Sequence, residues 1–180
     1  MALKSTIYKA NLQIADMDRG YYADHSLTIA RHPSETDERM MIRVLAFACQ
    51  AAENLAFGRG LSDEDEPDIW RRDLTGAIEQ WIEVGQPDER RLLKASGRAA
   101  QVVVYAYSNS CDIWWKGLEN KLTRARNLEV WKIPAEESAA LAALAERSMQ
   151  LQVTVQEGEL WVGNGEKVVH LTPQRLKQAN

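Results

Sequence analysis

The sequence predicts an α/β protein with a mixed central sheet flanked by helices, opened by an N-terminal β-hairpin and closed by a C-terminal β-meander. Three observations carry that expectation. Around Trp81 to Tyr107, an apolar run (WIEVG), a polar basic stretch and a second apolar run (QVVVYAY) form a strand–helix–strand crossover, so residues 79–85 and 101–107 should be parallel. Near the N-terminus, Tyr8, Ala10, Leu12 and Ile14 alternate with Lys9, Asn11 and Gln13. That period resumes after the turn at residues 16–20, with Leu27 and Ile29 inward. The tail alternates again: Leu151, Val153 and Val155 stand against Gln150, Gln152 and Thr154, with turns at Glu157-Gly158 and Asn164-Gly165.

The remaining elements follow in order. His32-Pro33-Ser34 stops the hairpin, and Ser34 with Asp37 is a capping signal. Met41, Val44, Leu45, Ala48, Ala52 and Leu55 then recur at helical spacing, giving a long helix with one face on a sheet. It should end at Gly58-Arg59-Gly60 and carry Glu53 in its last turns. The acidic run Ser62–Glu66 reads as a solvated loop. Residues 68–73 and 78–85 read as strands joined through Leu74-Thr75-Gly76, and Pro87-Asp88 opens a helix from Glu89 to Arg98. Residues 111–122 read as an amphipathic helix with Trp114, Trp115 and Leu118 inward, 128–133 as a strand, and 134–147 as a helix. No repeat or linker interrupts the 180 residues, so a single domain, 1–180, is expected.

Composition narrows the class. A net charge of −4 lacks the basic excess of a dedicated nucleic-acid module, although a local basic patch beside an acidic site is compatible with it. Cys49 and Cys111 have no CxxC spacing, so neither a zinc site nor a disulfide framework is indicated. There is no signal-peptide core and no apolar run long enough to span a bilayer, and a cytoplasmic protein is expected. P-loop and GxSxG patterns are absent, and His25, His32 and His170 lack metal-protease spacing.

Glu83 stands out. A carboxylate between Ile82 and Val84 should be buried, and a buried carboxylate needs a cation. Asp68, heading the preceding strand, can approach it around the turn. Two carboxylates there would favour a hard ion, Mg²⁺ or Mn²⁺, able to polarise a phosphodiester and activate water. The competing reading pairs Glu83 with Arg71, Arg72 or Arg90 in a structural ion pair.

The stretches EPDIWRRD (66–73), WIEVGQPDERR (81–91), LKASGRA (93–99), NLEVW (127–131) and MQLQVTVQEGELWV (149–162) resemble the YaeQ family, with the PD-(D/E)XK nuclease superfamily as the wider likeness. The resemblance covers essentially the whole chain. It implies a restriction-endonuclease-like core and a divalent-metal-dependent nuclease-like enzyme acting on DNA or RNA. By that resemblance Asp68 and Glu83 hold the metal, with Glu53 as an additional acid. Gly85 stands where the superfamily pattern has a lysine, so Lys94 on the next helix is the relocated amine and Gln86 assists at the rim. Arg90, Lys94 and Arg98 on one helix face, and Lys116, Lys121, Arg124 and Arg126, are candidate phosphate contacts. Two other readings stay open: a non-catalytic binding or regulatory protein that keeps the scaffold, and a metal-assisted hydrolase of a small phosphorylated molecule.

Overall fold

The computed structural model describes residues 4–180. Strand and helix patterns recur largely where the sequence places them: β1 (Thr6–Asp16), β2 (Tyr21–Arg31), α1 (Asp37–Cys49), β3 (Leu55–Phe57), β4 (Ile69–Arg72), β5 (Ile78–Val84), α2 (Glu89–Arg98), β6 (Ala99–Tyr107), α3 (Cys111–Lys116), β7 (Leu128–Ile133), α4 (Ala135–Ala142), β8 (Ser148–Gln156), β9 (Glu159–Gly163), β10 (Val168–Leu171) and β11 (Gln174–Lys177).

The fold is mixed α/β, but the strands make two mixed sheets rather than one central sheet. The first has the order β10-β9-β8-β1-β2, the second β11-β7-β6-β5-β4-β3. The expected single sheet fails because β1 uses its second edge for β8, in parallel, with Lys9 opposite Ser148 and Asp16 opposite Val155. The C-terminal meander therefore extends the N-terminal hairpin. The chain divides correspondingly into two compact units, Met1–Cys49 with Glu136–Pro173 and Gln50–Ala135 with Gln174–Asn180.

In the first unit the period of two decides burial. Tyr8, Ala10, Leu12 and Ile14 are buried, as are Leu27, Ile29, Met149, Leu151, Val153 and Val155, while their neighbours on the other face stay largely accessible. Helix α1 is capped by Thr36, whose Oγ1 accepts from the Arg39 backbone N–H at 3.1 Å, rather than by Ser34. Nor does it bury one face only. Every residue from Met40 to Ala48 is buried, Arg43 included. The Arg43 guanidinium donates to both Glu35 oxygens, at 2.7 and 2.8 Å, and to the Ala30 carbonyl at 3.1 Å.

Three helices are shorter than the spacing suggests. Helix α1 stops at Cys49 because Leu55–Phe57 pair with Ile69–Arg71 as a strand, and the Asn54 amide fixes the entry by donating to the Arg72 carbonyl at 3.0 Å. Sheet pairing thus overrides a helical repeat of Ala52 and Leu55. Gly117 ends α3, although Leu122 still reaches the core through a short 3₁₀ turn. Helix α4 gives way to turns at residues 143–145, and the Arg147 carbonyl accepts from the Lys9 N–H at 2.8 Å as the chain enters β8.

In the second unit, β5 and β6 are parallel, with Ile78 opposite Ala99 and Val84 opposite Tyr105, as a crossover through α2 requires. Asp88 caps α2 by accepting from the Arg91 N–H at 2.8 Å. Trp81, Val102, Val104, Leu128 and Val130 line one sheet face against Leu92 and Ala95 of α2 and Trp115 of α3. That face carries the candidate site. No helix of the described residues is long and apolar enough to cross a membrane.

A buried carboxylate pair clamped by an arginine

The site begins with the turn between β4 and β5. The Asp73 carboxylate accepts from the backbone N–H groups of Thr75 and Ala77 at 2.8 and 3.0 Å, which closes the turn, and the ladder then shifts its register by one residue between Arg71 and Arg72. Ile69 then faces Ile82 and Trp70 faces Trp81. One step further along the same ladder, Asp68 falls opposite Glu83. Both are buried, at 2% and 4% exposure. Asp68 Oδ2 accepts from the Val84 N–H at 2.8 Å, and a Cβ added at Gly60 would come within 2.5 Å of Asp68 Oδ1. Only glycine fits there, and its φ of +51° suits the same residue.

The structure thus brings together Asp68 and Glu83, as the strand pairing implied. It does not add the other residues assigned to the site. Glu53 lies in an exposed turn after α1, not on a helix, and no group of three His, Cys, Asp or Glu residues capable of holding a metal occurs among the described residues. Lys94 is exposed, with its Nζ 3.0 Å from Asp65 Oδ1 in the acidic loop rather than at Glu83. The reason is its place on α2: Lys94 is one turn too far along the helix, on the face the acidic loop covers. Gln86 is exposed too. Its amide donates to Ser108 and Ser110 Oγ, at 3.2 and 2.9 Å, on the loop after β6. Gly85 has a φ of +107°, a conformation that disfavours any side chain.

The cation at Glu83 is Arg91 rather than Arg71, Arg72 or Arg90. Its Nε donates to Glu83 Oε1 at 2.6 Å, and its two terminal nitrogens donate to the carbonyls of Glu64 (3.1 Å) and Glu66 (3.0 Å). Trp81, two residues before Glu83 and so on the same sheet face, donates its indole N–H to the same Oε1 at 2.8 Å. The alternative of a structural ion pair is realised, but with none of the three arginines considered: Arg71 pairs with Glu79, and Arg72 lies over the Trp70 ring at 4.3 Å. The available signal was Asp88. As an N-cap it puts Arg91 in the first helical turn, beside the end of β5.

The electrostatics are unbalanced. Burial first, then the Asp68 charge, push the Glu83 carboxyl up to about 7 from its ordinary 4.5, against the opposing pull of Arg91 and of the Trp81 hydrogen bond.

Residues 1–173 match the family described as YaeQ protein. The chain is 48% identical over 165 residues to the proteins named "Uncharacterized protein YaeQ" of Escherichia coli K12 and Shigella flexneri, covering 91% of each chain. Among solved structures, it is similar to the YaeQ protein of Xanthomonas axonopodis pv. citri, with a TM-score of 0.93, 50% identity, and coverage of 96% of this chain and 98% of that one. The YaeQ protein of Pseudomonas syringae matches with the same TM-score of 0.93, at 38% identity and 97% coverage of both chains. With a family match along nearly its whole length and bacterial relatives that share half its residues, the chain belongs to the YaeQ family.

Proposed function

We propose that this chain is a non-catalytic nucleic-acid-binding protein built on a PD-(D/E)XK nuclease-like scaffold. The scaffold assignment draws support from the antiparallel β4–β5 pair, the α2 crossover and the parallel β5–β6 pair, with Asp68 and Glu83 at the positions of the superfamily acids. The observation that carries the non-catalytic reading is the Arg91 clamp. Glu83 Oε1 is taken by two N–H donors, and the arginine's remaining nitrogens are committed to the carbonyls of the acidic loop. A resident Mg²⁺ or Mn²⁺ needs several ionised oxygen ligands. Here one of two carboxylates is already paired and has its pKa raised, and a third ligand is missing among the described residues, so the donor set does not fit such an ion. The exposed basic residues Lys116, Arg124 and Arg126 offer contacts to a phosphate backbone.

A metal-dependent nuclease is the second reading, favoured by the approach of Asp68 to Glu83 inside one buried site. One experiment separates the two. Calorimetric titration with Mn²⁺ to millimolar concentration, with cleavage assays on single- and double-stranded DNA and RNA, should give neither metal binding nor cleavage, while oligonucleotides bind in a salt-dependent way. Cleavage that disappears in both Asp68→Asn and Glu83→Gln would overturn the proposal in favour of the nuclease.

A further inference from the structure

We infer that the α2 face bearing Arg91, Lys94 and Arg98 is a binding surface for a phosphate-bearing polyanion, kept closed by the chain's own acidic loop, residues 62–66. The ligand class, nucleic acid, rests on the binding reading above.

The three cations stand at the spacing that puts them on one side of a helix. All three are engaged by one short segment. Lys94 Nζ is 3.0 Å from Asp65 Oδ1, and Arg98 Nη1 is 4.0 Å from the same oxygen and 3.3 Å from the Asp65 carbonyl. Arg91 takes the carbonyls on either side, those of Glu64 and Glu66. Three successive carbonyls and one carboxylate therefore lie along the helix as a run of acceptors, which is the pattern a phosphate backbone presents. Guanidinium groups favour that geometry, and Arg98 is steadied by lying 5.1 Å over the Trp81 ring.

The loop is built to move at its tip and stay anchored at its foot. At the foot, Phe57 pairs with Ile69, Gly58 N–H donates to the Asp68 carbonyl at 3.0 Å and Gly60 N–H to the Pro67 carbonyl at 3.1 Å. The tip has no buried apolar side chain: Leu61, Ser62, Glu64 and Asp65 are all exposed. What holds it is the Asp65 ion pairs with Lys94 and Arg98, those of Arg59 with Asp63 and Glu66, and the Arg91 hydrogen bonds to two carbonyls; the ion pairs face solvent and are individually weak and screened by salt. A polyanion supplies many charges at once, so it displaces Asp65 and the loop carbonyls while Arg91 Nε keeps its bond to Glu83. The acidic loop is then an internal competitor, and it sets the affinity of the surface.

The test combines binding with hydrogen exchange on the full chain. Fluorescence anisotropy with a labelled single-stranded DNA oligonucleotide and its duplex should show Asp65→Asn binding about 3- to 10-fold tighter than the wild type at low salt. The Lys94→Ala/Arg98→Ala double variant should bind at least about tenfold more weakly, with a salt slope reduced by about two. Amide exchange at residues 62–66 should speed up when the oligonucleotide or inorganic tripolyphosphate is added. If the oligonucleotide binds but Asp65→Asn matches the wild type and exchange in 62–66 is unchanged, this inference fails while the binding reading stands. If tripolyphosphate accelerates that exchange and no oligonucleotide binds, the closed surface stands and the nucleic-acid reading fails.

Discussion

Glu35 and Glu83 are both buried carboxylates, and each meets an arginine eight residues further along the chain. Their surroundings differ in one respect. Glu35 receives Arg43 on both oxygens and Arg39 Nη1 at 2.6 Å besides, so two cations serve one anion. Glu83 receives Arg91 on one oxygen and has the Asp68 charge beside it, which opposes its ionisation. Complete pairing makes the first a structural joint. The second sets two carboxyls side by side in a dry place, and burial first, then the Asp68 charge, moves the Glu83 carboxyl to about 7. A buried ion pair is therefore informative through its surroundings more than through its presence.

Substitutions test the contrast. The largest effect is expected for Arg43→Ala, which leaves Glu35 buried with Arg39 alone and should cost about 3–5 kcal/mol in urea unfolding. A loss below about 1 kcal/mol would show that Arg39 suffices and that the two sites are less different than they look. Next comes pH. The folded-state value of Glu83 lies above its ordinary 4.5, so between that value and about 7 the folded chain holds a proton that the unfolded chain releases. The Glu83 contribution to stability is therefore full below the lower value and falls as pH rises toward the upper one, by up to about 3 kcal/mol, and levels off beyond it. Glu83→Gln, an imitation of the protonated acid, should flatten that dependence when urea midpoints are compared at about pH 5 and about pH 8. An unchanged slope would assign the effect to other groups. Arg91→Ala should be the mildest, about 1–2 kcal/mol below neutral pH, because Glu83 can take up a proton in place of the lost cation. A penalty equal to that of Arg43→Ala would mean that Glu83 has no such escape.

What could be read from the sequence follows the range of the forces involved. Asp68 and Glu83 are legible as near neighbours because a short turn joins their strands, but their direct opposition depends on the register shift between Arg71 and Arg72, which the sequence does not announce. Helix α2 was legible to its ends because Asp88 caps it. Arg91 was not, since the sequence shows a run of ERR without saying which guanidinium faces the sheet. Lys94 was misplaced for the same reason, and Glu53 because a helical repeat continued past the point where strand pairing takes over. The acidic run has the composition of a merely solvated loop, whereas Asp65 is both exposed and paired with Lys94. The two sheets were hidden altogether: nothing near Lys9 announces Ser148 as its partner, and Gln174–Lys177 is too polar to signal β11.

The parallel pairing of β1 with β8 has a consequence for how the polypeptide matures. As it leaves the ribosome, the N-terminal hairpin is finished early but has no neighbour until the chain beyond residue 148 emerges, and a lone hairpin in water is marginal. During that wait an unpaired strand edge is open to any other nascent chain. The alternating Lys9, Asn11 and Gln13 on its accessible face lower the tendency of that edge to aggregate.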